Sequence, residues 1–216
     1  MAPKHHLAAL YRQLRACCGP HPEWWPTDNG PLREWEICAG AILTQNTNWK
    51  NAERALANLK REKLLSPKKI ATAPLRRLEN AVRPSGFYKQ KSERLRALAS
   101  FILSFGSFDT FFRTVTRDQL LALKGIGPET ADSILLYACN KPYFVIDAYT
   151  RRTLSRLKLI NGKESYDELQ RMFHGSLPRS AKLYKEFHAL VVEHAKRLCR
   201  KKPGCAACPL KCPSHT

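Results

Sequence analysis

The stretch Leu123-Lys124-Gly125-Ile126-Gly127-Pro128-Glu129-Thr130-Ala131, followed at a distance by Asp147, decides the reading of this chain. Upstream, Thr116 and Gln119 have capping-box spacing, so a helix is expected to start there and run into the glycines. Gly125 and Gly127 permit a sharp turn with no Cβ between backbone and ligand. Pro128 then takes the favoured first position of a second helix. The pattern is helix, tight turn, helix, and an apolar run through Val145 and Ile146 that delivers one carboxylate. Amides opening the second helix, at Gly125, Gly127, Glu129, Thr130 and Ala131, form a ready site for a phosphate, with a bound monovalent cation as a possible bridge. By position, Asp147 is a good N-cap for the helix beginning Ala148-Tyr149-Thr150. Beside docked DNA, it is also a candidate for chemistry.

Composition agrees with such a partner. The 216 residues carry a formal charge of +19, with no acidic segment to offset it, which favours a polyanion. No apolar run approaches the roughly 18 residues needed to cross a bilayer, and the N-terminus lacks a secretory apolar region. The expectation is a monomer in the cytoplasm, bacterial and nucleoid-associated, with no membrane partner.

Apolar residues recur at helical spacing throughout, so an all-α fold is expected. His5–Cys17, Leu32–Thr44, a helix capped by Asn48, Leu75–Val82 and Lys91–Phe105 precede the hairpin. Ala148–Lys158, a helix begun by the Ser165/Glu168 capping box, and Arg179–Leu198 follow it.

With these residues in place, the resemblance is specific. The hairpin with Val145-Ile146-Asp147 resembles the helix-hairpin-helix, Gly/Pro loop and aspartate of the endonuclease III superfamily of DNA glycosylases. Ile42-Leu43-Thr44-Gln45-Asn46-Thr47-Asn48 resembles the family segment that enters the duplex where the target base was. Arg83-Pro84-Ser85-Gly86-Phe87-Tyr88 resembles its Gly-Phe/Leu-Tyr turn. The resemblance implies a two-domain fold, with 30–140 as one helical domain carrying the hairpin, and 1–29 with 141–216 as the other. It implies that double-stranded DNA with a damaged base lies between them.

It also implies roles. Asp147 is the catalytic carboxylate, stabilising an oxocarbenium-like sugar and orienting water. Gln45 is the wedge that fills the vacated position; as a plain helix residue it would close an exposed turn. Members that also cut the strand carry a lysine where this chain has Glu129, and glutamate cannot form a Schiff base. The chain therefore resembles a monofunctional glycosylase. Trp24-Trp25-Pro26 and Trp49 resemble the base pocket of the bacterial 3-methyladenine glycosylase branch. Indole faces suit a cationic alkylated purine, though tryptophans in helices also serve as core. Uracil, thymine or adenine in mismatches are the alternative substrates, and a non-catalytic helix-hairpin-helix DNA-binding protein is the alternative class. Lys89, Lys91, Arg94 and Arg96 are candidates for phosphate contacts.

Four of the eight cysteines, Cys199, Cys205, Cys208 and Cys212, fall in the last eighteen residues, with five, two and three residues between them. Four clustered thiolates suit a [4Fe–4S] cluster or a tetrahedral zinc. They resemble the family's iron–sulfur loop, with shorter intervals. Cys17, Cys18, Cys38 and Cys139 read as buried apolar residues.

Overall fold

A computed structural model of the chain describes residues 3–20, 25 and 30–210, with side chains from residue 6 onward. Among them the fold is all-helical, as expected, and divides into two compact units. One comprises residues 1–26 and 141–216, the other residues 27–140.

The chain begins in the first unit with α1, Pro3–Cys18, whose Leu7, Leu10 and Leu14 are buried on one face. Cys17 in its last turn is exposed, contrary to the expectation of a buried apolar thiol.

The second unit contains α2 (Arg33–Leu43), α3 (Trp49–Arg61), α4 (Pro67–Thr72), α5 (Leu75–Val82), α6 (Tyr88–Leu103), α7 (Phe108–Thr114), α8 (Arg117–Leu121) and α9 (Pro128–Ser133). Helix α2 is buried along nearly its whole length, from Trp35 to Leu43, so its apolar character on all sides is explained. Asn48 caps α3 by accepting from the Asn51 amide, and the Thr116/Gln119 capping box opens α8. The helix after the glycines does not run on regularly. Beyond Ser133 it widens into one π turn, Ile134–Ala138, whose Ile134, Leu135 and Leu136 are buried where it packs on α2. Helices α4 and α7 fall outside the sequence expectation, although Ser66 and Ser107 both cap them through their side chains.

The chain returns to the first unit through the extended segment Tyr143-Phe144-Val145-Ile146, which pairs with no strand among the described residues. Side chains of α11 (Tyr166–Ser176) take the place of a neighbouring strand. His174 Nε2 accepts from the Phe144 amide at 3.1 Å, Gln170 Nε2 donates to the Phe144 carbonyl at 2.9 Å, and Tyr166 Oη accepts from the Ile146 amide at 3.3 Å. Phe144 also stacks on Phe173 with centroids 3.7 Å apart. This extended segment is thereby fixed up to Asp147, the N-cap of α10 (Ala148–Arg156). Helix α12 (Ala181–Arg197) packs on α1 and α10 and completes the unit. Among the described residues no single helix is long and apolar enough to cross a membrane.

Candidate active site and DNA-facing elements

Asp147 forms the N-cap read for it and keeps one carboxylate oxygen outside the cap. Its Oδ1 accepts from the Thr150 amide at 2.7 Å, which caps α10. Its Oδ2 is left to face Nε2 of His188, on α12, at 3.5 Å. The aspartate side chain is 14% exposed and that of His188 only 4%, so the carboxylate has one face toward solvent and the other against an imidazole. Burial pushes the carboxyl pKa up, but the charge and hydrogen bond of His188 and the Thr150 bond outweigh it, and the net value is lowered. Asp147 is thus ionised over the working range of an enzyme, as a stabiliser of positive charge must be.

His188 was not singled out from the sequence. Nothing local marks it, because it sits 41 positions from Asp147 in an amphipathic helix. A buried polar residue on an otherwise apolar helix face, between Phe187 and Ala189, was the one available signal.

The consequence for pH follows from the sign of the shift. A carboxyl with a lowered pKa in the folded protein adds stability above its unfolded value, which is lost as pH falls through the folded value. His188→Gln removes the charge that lowers it. The acid limb of the single-turnover rate is expected to move to higher pH in this variant. An unchanged acid limb would show that His188 does not set the carboxylate's ionisation.

In the second unit, Gly125 adopts φ +85°, a left-handed conformation that glycine tolerates best, and Ile126 locks the turn with 5% exposure. Glu129 is exposed in the first turn of α9, as is Lys124 before the turn. Gln45, just beyond α2, lies on this hairpin. Its Nε2 donates to the Gly125 carbonyl and to Thr130 Oγ1, both at 3.0 Å.

Phe87 was noted only within the Gly-Phe-Tyr resemblance, yet it is 61% exposed and holds φ +46°. A bulky aromatic in the left-handed region is strained, and Phe87 holds that strain at the surface. Lys91 differs from expectation. It is 1% exposed, and its Nζ donates to the carbonyls of Leu43 (2.8 Å) and Ser85 (2.6 Å), so it is not a phosphate contact. Burial, with the nearby Arg94 charge second, pushes its amine down to about 8. It binds together the two turns that carry Gln45 and Phe87. Arg96 likewise spends a guanidinium nitrogen on the Ala73 carbonyl.

Trp25 is 6% exposed in the first unit, and Trp49 is half-buried at the start of α3 in the second. Trp24, Pro26 and Cys212 lie outside the described residues.

Cys199, Cys205 and Cys208 line one cavity of about 20 Å³ together with His194 and Arg156. Arg156 Nη1 donates to Cys199 Sγ at 3.2 Å, and His194 Nε2 lies 3.3 Å from Cys208 Sγ. Among the described residues, no three His, Cys, Asp or Glu side chains close on a common point as a metal-ligand set. The donor chemistry nevertheless fits a thiolate-held group: three sulfurs face one space, and a guanidinium is aimed at one of them.

These elements agree with the comparisons to known proteins. The family model described as HhH-GPD superfamily base excision DNA repair protein matches residues 39–179. A protein of Methanocaldococcus jannaschii assigned as a DNA repair glycosylase is 47% identical over 197 residues, 88% of each chain. Endonuclease III of Sulfolobus acidocaldarius is 28% identical, covering 79% of this chain and 76% of its own. The crystal structure of H. pylori 3-methyladenine DNA glycosylase (MagIII) bound to 1,N6-ethenoadenine superposes with a TM-score of 0.78 and 36% identity, over 91% of this chain and 98% of the other. The chain belongs to the HhH-GPD superfamily. It is a DNA glycosylase of base excision repair.

Proposed function

We propose that this glycosylase removes alkylated purines of the 3-methyladenine type by hydrolysis and leaves the abasic strand uncut. The observation that carries the reading is an exposed Glu129 at the key position of the hairpin; Asp147, held in its own unit with a lowered pKa beside His188, supplies the carboxylate. No amine at that position is available to form a Schiff base, so water is the nucleophile. As the glycosidic bond lengthens, positive charge grows on the sugar and the Asp147 carboxylate stabilises it. Water then adds to the anomeric carbon with loss of a proton, while the base departs with the bond's electron pair. A cationic purine leaves as a neutral base and needs no general acid, which suits a site with one ionised carboxylate.

In this reading the amides around Gly127 and Glu129 bind a phosphate of duplex DNA, while those of Ile126 and Ala131, the latter contrary to expectation, are spent on the Leu123 and Gly127 carbonyls. Gln45 enters the duplex from one turn and Phe87 stacks from the other. Indole faces such as that of the half-buried Trp49 suit an extruded base. The likeness to the 3-methyladenine glycosylase of H. pylori supports this choice of base. Cys199, Cys205, Cys208 and Cys212 would hold a [4Fe–4S] cluster. Its chemistry there is that of a structural staple ordering a basic loop, with Arg156 and Arg152 fastening the loop's carbonyls to α10.

The test is incubation with duplexes that each carry one modified base, with and without alkali. The expected result is base release from alkylpurine duplexes and strand breakage only after alkali. Breakage without alkali would refute the hydrolytic reading, and release confined to uracil or thymine mismatches would refute the substrate. Protein as isolated is expected to absorb near 400 nm; a colourless, zinc-containing protein would remove the cluster.

A further inference from the structure

Gln45 is half-buried, and both ends of its side-chain amide are fastened. Its amide nitrogen has two hydrogens, and both are used, one on the Gly125 carbonyl and one on Thr130 Oγ1, each at 3.0 Å. Its carbonyl oxygen accepts from Arg94 Nη1 at 2.6 Å, a short charge-assisted bond. The other guanidinium amine of Arg94 reaches Gln90 Oε1 at 3.4 Å, on the same helix. This pattern also fixes the amide's orientation, since a flipped amide would set NH₂ against the guanidinium and oxygen against a carbonyl. The guanidinium lies directly over the hairpin turn: a Cβ built on Gly125 would stand 2.2 Å from Arg94 Nε. Arg94, Gln45 and the hairpin therefore form one hydrogen-bonded unit, whose backbone base is held by Lys91 on the Leu43 carbonyl.

We infer that Arg94 and Thr130 are positioning residues that stow Gln45 on the hairpin in the DNA-free protein, and that phosphate docking at the same hairpin releases it. The inference rests on the reading of Gln45 as the residue that fills the vacated position. Arg94 commits its Nη1 to one acceptor at that place. The neutral Gln45 carbonyl holds it when no DNA is present, and an anionic phosphate oxygen arriving at the turn is the better partner. When the guanidinium transfers to phosphate, Gln45 loses its charge-assisted bond and keeps only two neutral ones. Docking and insertion thus become sequential steps, and the wedge is withheld until the hairpin is on DNA.

The experiment is stopped-flow fluorescence of 2-aminopurine placed beside an abasic analogue in a duplex, at saturating protein, with affinity measured separately by anisotropy. Thr130→Val deletes one acceptor of Gln45 without changing charge or the backbone amide. It is expected to raise the rate of the fluorescence change about threefold to tenfold, the loss of one ordinary hydrogen bond. Thr130→Ser restores the hydroxyl and is expected to restore the wild-type rate. Arg94→Ala is expected to raise the rate and weaken binding together. An unchanged rate in Thr130→Val, with a reduced signal in Gln45→Ala, would overturn the stowing of Gln45. A full signal in Gln45→Ala would instead overturn the wedge reading beneath it. A fall in melting temperature of Thr130→Val with no kinetic change would assign Thr130 a structural role alone and also overturn the inference.

Discussion

Asp147→Asn is expected to lose base release by about 10²–10⁴-fold while folding and binding DNA as the wild type does. The separation is possible because the residue's two oxygens do different work. Oδ1 caps α10 through the Thr150 amide, and an asparagine oxygen caps nearly as well as an aspartate oxygen. Oδ2 faces His188, and it is the negative charge there that asparagine cannot supply. Asp147→Ala removes both roles. It is expected to lose the same activity and, in addition, about 1 kcal/mol of stability from the missing cap. Single-turnover base release together with thermal melting of the two variants distinguishes the roles. Equal activity of Asp147→Asn and wild type would remove Asp147 from the chemistry. Equal melting of Asp147→Asn and Asp147→Ala would show that the cap contributes nothing.

The parts of this fold legible in the sequence are those whose physics is local. A capping box needs residues three apart, and both the Thr116/Gln119 and Ser165/Glu168 boxes form as read. The glycine turn and its proline are equally local. Short helices escaped notice because six or seven residues give too few turns for periodicity, even where Ser66-Pro67 announces a start. The π turn after Ser133 follows from packing against α2, which no window of sequence contains.

Charge was the least reliable guide at single positions. A lysine among Lys89, Arg94 and Arg96 reads as solvated surface, yet Lys91 is buried because two turn carbonyls converge on it from distant segments. His188 shows the same limitation from the other side. Its partner lies in another element, so its function depends on the return of α12 beside Asp147.

The hairpin's own rigidity rests on a second aspartate. Asp132, fully buried in α9, accepts from Arg117 Nε at 2.9 Å and Nη2 at 3.3 Å, so its two oxygens meet a guanidinium fork from the first turn of α8. This bidentate pair ties the two helices of the hairpin on either side of the glycine turn. Removing Asp132 takes both of these charge-assisted bonds from a mostly buried guanidinium, a cost of about 3–5 kcal/mol. Asp132→Ala is therefore expected to lower stability by that amount in denaturant titration. Replacing both residues, Arg117→Met with Asp132→Leu, removes both charges of the pair and is expected to recover most of it. The two variants should part again on DNA. The double variant keeps a folded hairpin but loses the fork that sets the angle between its helices, so its affinity for duplex should fall more than its stability. Arg117 is 18% exposed and Asp132 not at all, so the deficit in Asp132→Ala should persist in high salt. A deficit that vanishes on adding salt would mean that the pair is screened and that the hairpin is held by Ile126 and its apolar neighbours instead.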